Sequence, residues 1–349
     1  MLFFNIATLT PVALLAVAAL RGGVWVALAL VWITVVTWAM DHLVARAAVR
    51  RAQGAEFPTG TRLALALGLA HPVLLALAVW AIGGPSGLGG WERAGLWAAF
   101  GLFFGQVGHP NAHELIHKPG RGARALGRLI YTTLLFGHHA SAHLRVHHVH
   151  AATDADPNSA PRGQGFWRFA ARAWAGSFVA GWRAESALRA RAHTSQPWWR
   201  HPYAAHVGGA LATMAAAAAL AGAGGIAALL ALAAYAQVQI LLSDYVQHYG
   251  LRRALRDDGR PAPLGPQHSW NAPQFWSSAM MLNAPRHSDH HLAPTRPFPA
   301  LRLDTDTMPV LPRALPVMAV VALWPPLWRR VMDPRVARWQ SPGQGKGAN

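Results

Sequence analysis

The chain has 349 residues, 53% of them hydrophobic and only 13% charged, with a net charge of +17, 19 histidines and no cysteine. Soluble domains carry about a quarter charged residues, so the composition excludes an ordinary soluble protein and indicates the membrane class. Without cysteine, thiolate-ligated haem, a cysteine-held iron–sulfur cluster and disulfides are excluded on this chain, so any electrons used here come from another protein.

Apolar stretches close to the roughly 20 residues that cross a bilayer run over Leu2–Leu20, Val24–Met40, Leu63–Ile82, Leu96–Val107, His206–Ala223 and Ile226–Val246. They predict six spans, the fourth being shortest and borrowing Trp91–Gly95 at its outer end. The first contains Ala16-Val-Ala18, which resembles a signal-peptidase site, but it lacks a positive n-region and is expected to be a retained helix. Arg46, Arg50, Arg51 and Arg62 separate the second span from the third, whereas Gly83–Gly90 is uncharged. The positive-inside rule assigns the first of these loops to the cytoplasm. Alternation then carries the N-terminus, His109–Arg200 and Gln247–Asn349 to the same side.

Within His109–Arg200 lie a short apolar stretch, Leu126–Phe136, and an amphipathic one, Phe166–Arg191, where Trp167, Trp174 and Trp182 alternate with arginines. That composition predicts a helix lying in the membrane interface. Val310–Trp328 is apolar but broken by Pro312, Pro316, Pro325 and Pro326, and is expected to pack at the membrane surface rather than span. The Gly/Gln-rich tail from Gln340 is expected to be disordered. The expected architecture is an all-α integral membrane protein with six transmembrane helices and a cytoplasmic helical cap carrying a histidine-rich dimetal site. Its units are four N-terminal spans (1–108), a histidine-bearing region with interfacial helices (109–205), a transmembrane hairpin (206–249), a C-terminal cytoplasmic region (250–339) and the tail (340–349).

Nine histidines carry the chemistry. They stand in His113-Glu-Leu-Ile-His117, His143-Leu-Arg-Val-His147-His148, the single His248 of Asp244-Tyr-Val-Gln-His-Tyr-Gly250, and His287-Ser-Asp-His290-His291. Residues i and i+3 or i+4 share one helix face, so His113/His117, His143/His147 and His287/His290/His291 are each predicted to aim their rings at one point. Imidazole suits zinc, copper, iron and nickel. Nine rings exceed what one ion uses, which implies two metals.

The first run alone matches the zinc-protease motif, but a zinc protease needs only one further ligand and leaves the other histidines unexplained. His109, His138, His139 and His150 are expected to be supporting or structural. Carboxylates near the runs, Glu114, Asp154, Asp244 and Asp289, are candidates to orient the rings through hydrogen bonds. Asp156 shares this role with Asp154 in the sequence reading, and salt bridging to arginines is the alternative for both.

These residues resemble a known family, the membrane-bound non-haem di-iron alkane 1-monooxygenases. The resemblance rests on His113-Glu-Leu-Ile-His-Lys118, on the central His-x-x-x-His-His with Ala152-Thr-Asp-Ala-Asp-Pro157, and on Gln247-His-Tyr-Gly-Leu251. It continues through His268-Ser-Trp-Asn271, Arg286-His-Ser-Asp-His-His291 with Pro294-Thr-Arg296, and Pro325-Pro-Leu-Trp-Arg-Arg-Val-Met-Asp-Pro334. It implies six membrane helices in the cell inner membrane and two irons held by His113, His117, His143, His147, His148, His248, His287, His290 and His291. It also implies O2 as co-substrate, a terminal alkane methyl as target, and electrons from rubredoxin and its reductase. Membrane lipid is an expected neighbour and nucleic acid is not.

The chain departs from the family at Ala142 and Val146, where glutamate and glycine are usual, and at Gln164 and Gln247, where glutamate is common. The two glutamines are more similar to xylene monooxygenase hydroxylase subunits, which stay open as an alternative together with fatty-acid desaturases and hydroxylases of the same superfamily. Trp32 on the second span is the candidate stop for the substrate chain, with packing as its alternative role.

Overall fold

The computed structural model describes residues 1–43, 59–192 and 196–340; Arg46, Arg50, Arg51 and the tail beyond Gln340 lie outside them. Among the described residues the chain is helical, with isolated bridges at Leu255–Pro261 and Asn271–Val310 and no strand. Helices α1 (Leu2–Arg21), α2 (Val24–Leu43) and α3 (Thr61–Gly83) are long and apolar enough to cross a membrane, as is α9 (Pro202–His248). These four coincide with the first three and last two expected spans, and the chain is an integral membrane protein.

The α1–α2 turn is made at Gly22 and Gly23, both at positive φ (62° and 56°), a conformation that glycine adopts without steric cost. The same device divides α9. Ala221 leaves helical geometry and Gly222 takes φ 59° and ψ −146°. The chain folds back there, since a Cβ on Gly225 would stand 2.1 Å from the Ala217 carbonyl oxygen. The expected hairpin is therefore two antiparallel helices.

The fourth expected span is α4 (Gly90–Phe103), which runs on through a π-turn, Phe104–Gly108, into α5 (His109–Ile116). At 14 residues α4 is shorter than a full span. Among the described residues two further π-turns occur, Trp32–Val36 inside α2 and His143–His147. Such turns insert one residue and rotate the face of everything that follows, and they concentrate at functional sites.

The remaining helices pack against these. Helix α6 (Arg121–Thr133) lies on α5, and α7 (His138–Ala142) leads through the second histidine run to His150. Helix α8 (Phe166–Arg191) buries Phe166, Phe169, Ala173, Ser177 and Gly181 at helical spacing. Its Trp167, Trp174 and Trp182 point outward. After α9 come α10 (Phe275–Met280), α11 (His287–Leu292), α12 (Leu315–Ala322) and α13 (Pro325–Gln340). The proline-broken C-terminal run thus forms two helices; α12 packs on α9 and buries Met318 and Ala322.

Two short helices owe their positions to long-range caps. Asp41, near the end of α2, accepts from the backbone N–H groups of Trp276 (2.8 Å) and Ser277 (2.9 Å) at the start of α10. Asn271 does the same for α11, its Oδ1 accepting from Ser288 N (2.9 Å) while its Nδ2 donates to Ser288 Oγ (2.8 Å). Both satisfy helix-start donors that would otherwise be buried unpaired, and the second explains the His268-Ser-Trp-Asn271 run.

Candidate metal centre

All nine histidines of the four runs meet near the C-terminal ends of α5 and α9, in two groups. His113, His117, His143, His148 and His290 form one, and His147, His248, His287 and His291 the other; within each, one nitrogen per ring lies within 4.8 Å of the rest.

The grouping does not follow the runs. His113 and His117 stay together, as i,i+4 spacing predicts, but His143 and His147 part company. They bracket a π-turn, whose wider winding aligns i with i+5 rather than i+4, so His148 joins His143 and His147 faces the opposite group. On α11 the i,i+4 pair His287 and His291 goes to the four-ring group while His290, one residue off that line, crosses to the five-ring group.

The nitrogens face each other at the spacing a bound cation imposes. His248 Nε2 lies 2.9 Å from His287 Nε2 and 3.3 Å from His291 Nε2, and the last two are 3.1 Å apart. In the other group His143 Nε2 is 3.1 Å from His117 Nε2 and 2.9 Å from His148 Nε2, which is 3.2 Å from His290 Nε2. An in-plane ring nitrogen carries either one hydrogen or one lone pair. In the triangle of His248, His287 and His291, at least two nitrogens are therefore alike and cannot hydrogen-bond. A central cation removes the conflict, and metal–nitrogen bonds of about 2.1 Å give ligand separations of about 3.0–3.4 Å. His113 Nε2 and His147 Nε2 are buried without any protein partner, which fits the same explanation.

Protonation also fits. Burial, and then the neighbouring rings, hold His113, His143, His148, His287, His290 and His291 well below the ordinary histidine pKa. They are neutral at pH 7, the form that ligates.

His147 differs. Burial pulls it down, but Asp156 and then Asp244 outweigh burial and raise it. Its Nδ1–H donates to Asp156 Oδ2 (2.9 Å), leaving the Nε2 lone pair for the group. Asp156 is fixed in turn by Ser159 Oγ (2.7 Å) and Asn158 N (3.0 Å), and Asn158 Nδ2 donates to Asp244 (2.6 Å).

The acids expected behind the rings divide accordingly. Asp154 corrects the sequence reading: its side chain is fully exposed and pairs with Arg252 at 3.3 Å, and it is Asp156 that holds a ring. Glu114 pairs with Lys118 (2.6 Å). Asp289 binds the Arg296 guanidinium and accepts from Arg302 N (2.8 Å), steadying the chain after α11. Asp244 reaches the centre through Asn158. Two consecutive acids in Asp154-Ala-Asp156 look alike in sequence, and only the turn between them decides which faces inward.

A largely apolar cavity of about 210 Å³ opens onto His113, His143 and His287. Leu102, Tyr235, Val238, Leu242 and Met281 supply much of its wall, and Val320 of α12, 67% exposed, stands at its edge. Gln239 and Gln247 line it as well, and Gln247 accepts from Ser243 Oγ (2.8 Å) and donates to the Ala284 carbonyl (3.1 Å). Sequence reasoning missed the Tyr235–Gln247 stripe, although its i,i+4 polar residues inside an apolar span were a usable signal. Trp32 does not line this cavity; its ring meets Trp276 edge-on at 6.4 Å. His109 and His139 do line it, and His138 packs on Ser177 and Trp174.

Residues 89–321 match the fatty acid desaturase family model. Alkane 1-monooxygenase 1 of Pseudomonas aeruginosa is 34% identical over 76% of this chain and 70% of its own length. This chain belongs to the alkane 1-monooxygenase family, within the fatty acid desaturases. Alkane 1-monooxygenase 2 of the same organism is 33% identical over 76% of this chain and 71% of its own length. Alkane 1-monooxygenase of Acinetobacter baylyi is 35% identical over 64% and 55%. The matched region contains all nine histidines and the cavity residues from Leu102 to Val320.

Proposed function

We propose that this protein is a membrane monooxygenase that converts the terminal methyl of medium- or long-chain alkanes to a primary alcohol, with O2 as co-substrate and electrons from rubredoxin and its reductase. The observation that carries the reading is an apolar cavity ending on a two-group histidine centre in a membrane bundle. The proposed ligands are His113, His117, His143, His148 and His290 for one iron and His147, His248, His287 and His291 for the other. Bound iron supplies dioxygen reduction and oxygen-atom transfer to a C–H bond.

The chain's own residues do the positioning. Leu102, Val238, Leu242 and Met281 exclude water and hold an alkyl chain with its end toward His113, His143 and His287. Asp156 keeps the His147 proton on Nδ1. An alkane is already dissolved in the bilayer, and the cavity edge at Val320 on α12 admits it without passage through water. We further assign six crossings and a histidine layer on the cytoplasmic side of the inner membrane, with the unit boundaries given above.

Purified protein assayed for iron and supplied with rubredoxin, its reductase and NADH is expected to hydroxylate octane or hexadecane with oxygen uptake. Product from xylene or a fatty acyl substrate and none from the alkanes would move the protein to another branch of the superfamily.

A further inference from the structure

Helices α4–α5 and α9 face each other along stripes of residues four apart. Trp97, Gly101, Gly105 and His109 stand on one side; Ala231, Tyr235, Gln239 and Ser243 on the other. The glycines are the seats for the opposing side chains. A Cβ on Gly101 would lie 2.2 Å from the Tyr235 ring, and one on Gly105 would lie 2.3 Å from the Gln239 amide carbon.

Two spaces lie along these stripes. The inner one is the cavity that reaches the histidines, with Tyr235 in its wall. The outer one is a groove between Arg93, Trp97, Gly224, Ala227 and Ala231. Between them the Trp97 and Tyr235 rings stack at 5.0 Å and 27°, one ring belonging to each space. From Tyr235 to Gln247 the helix rises about 18 Å at 1.5 Å per residue, so the closed part of the path has a definite length.

We propose that the Trp97–Tyr235 stack is the floor of the alkyl cavity and sets the longest chain it accepts, the outer groove being the continuation that the stack closes. Gly101 is the positioning residue that lets Tyr235 lie flat across the path. The inference rests on the reading that an alkyl chain occupies the inner cavity.

The test compares wild type with Y235A and W97A in membranes, using two readouts. The first is the hydroxylation ratio of hexadecane to octane. One or two added methylenes in an apolar pocket change discrimination by about tenfold or more, and Y235A is expected to raise the ratio by at least about that factor. Y235F, which keeps the stack, is expected to keep the wild-type ratio.

The second readout is photolabelling by a long-chain alkyl diazirine in the bilayer, with labelled peptides mapped by mass spectrometry. Ala227 and Ala231 are exposed to the bilayer, so the readout is label there that excess hexadecane displaces; it is expected in Y235A and not in wild type, and it reads the floor whether or not turnover survives. Y235L carries both measurements if Y235A fails to accumulate. An unchanged ratio and label pattern in a wild type that hydroxylates alkanes overturns the floor alone. A shifted label pattern in a protein that hydroxylates no alkane leaves the floor standing and removes the activity.

Discussion

The two histidine groups are built from the same ring chemistry but differ in support. Every ring of the four-histidine group is buried, and one of them, His147, is held by a carboxylate that is itself fixed by Ser159 and Asn158. In the five-histidine group His113, His117 and His148 are partly exposed, and among the ring contacts described above none is to a carboxylate. In the four-histidine group one ring is locked by a carboxylate, while His248 Nδ1 and His291 Nδ1 are buried without a partner; the five-histidine group has more rings and greater exposure. Both border the cavity, through His113 and His143 on one side and His287 on the other.

Metal removal tests that difference with the largest effect. A chelator is expected to abolish turnover, and elemental analysis is expected to show release in two steps, the five-histidine group emptying first. Single-step release would remove the distinction.

Next in size is the contrast between His248→Ala and His117→Ala. The first leaves three rings in its group and the second leaves four. Changes behind a ligand already cost 10–100-fold in metal affinity, so His248→Ala is expected to lose about 100-fold or more in affinity, with a smaller loss for His117→Ala. Equal losses by metal titration would show that ligand number is not what separates the groups.

Asp154 and Asp156 are expected to respond differently. Asp156→Ala is expected to weaken metal binding at the four-histidine group by about 10–100-fold while the other group retains its ion. Asp154→Ala, on an exposed side chain, is expected to change stability by no more than about 0.5 kcal/mol. Similar metal content in the two variants would contradict the assignment of Asp156.

His138 lies outside both groups. Burial, and then His206, lower His138 to about 4, below its ordinary value of 6.5. The folded state then binds fewer protons than the unfolded one between these values. Stability is fully present above about pH 6.5 and is lost as pH falls toward 4, by at most about 3 kcal/mol. Thermal melts of metal-free protein are expected to show this slope reduced in His138→Gln; an unchanged slope would assign the acid sensitivity to other groups.

Much of this arrangement is legible in the order of residues. Apolar runs of membrane length mark α1, α2, α3 and α9 because bilayer thickness sets a length that composition reveals. The nine histidines stand out because imidazoles four apart in a chain without cysteine have few other uses. Glycines at Gly22 and Gly222 carry the turns, but Gly222 lies in a Gly/Ala-rich stretch where the fold-back between the expected fifth and sixth spans has no sharper signal. The fourth expected span is weaker on both counts, since α4 is short and a π-turn follows it.

Residue order alone carries the chemical inventory: membrane helices, nine candidate imidazole ligands, and scarce acids near them. Which ring joins which group was decided by tertiary structure. A π-turn at His143–His147 changes the angle between side chains without changing their spacing in sequence, and His290 and His291 diverge because adjacent helix positions point about 100° apart. The choice of Asp156 over Asp154 and the meeting of Trp97 with Tyr235 likewise depend on contacts between segments far apart in the chain, which residue spacing does not encode.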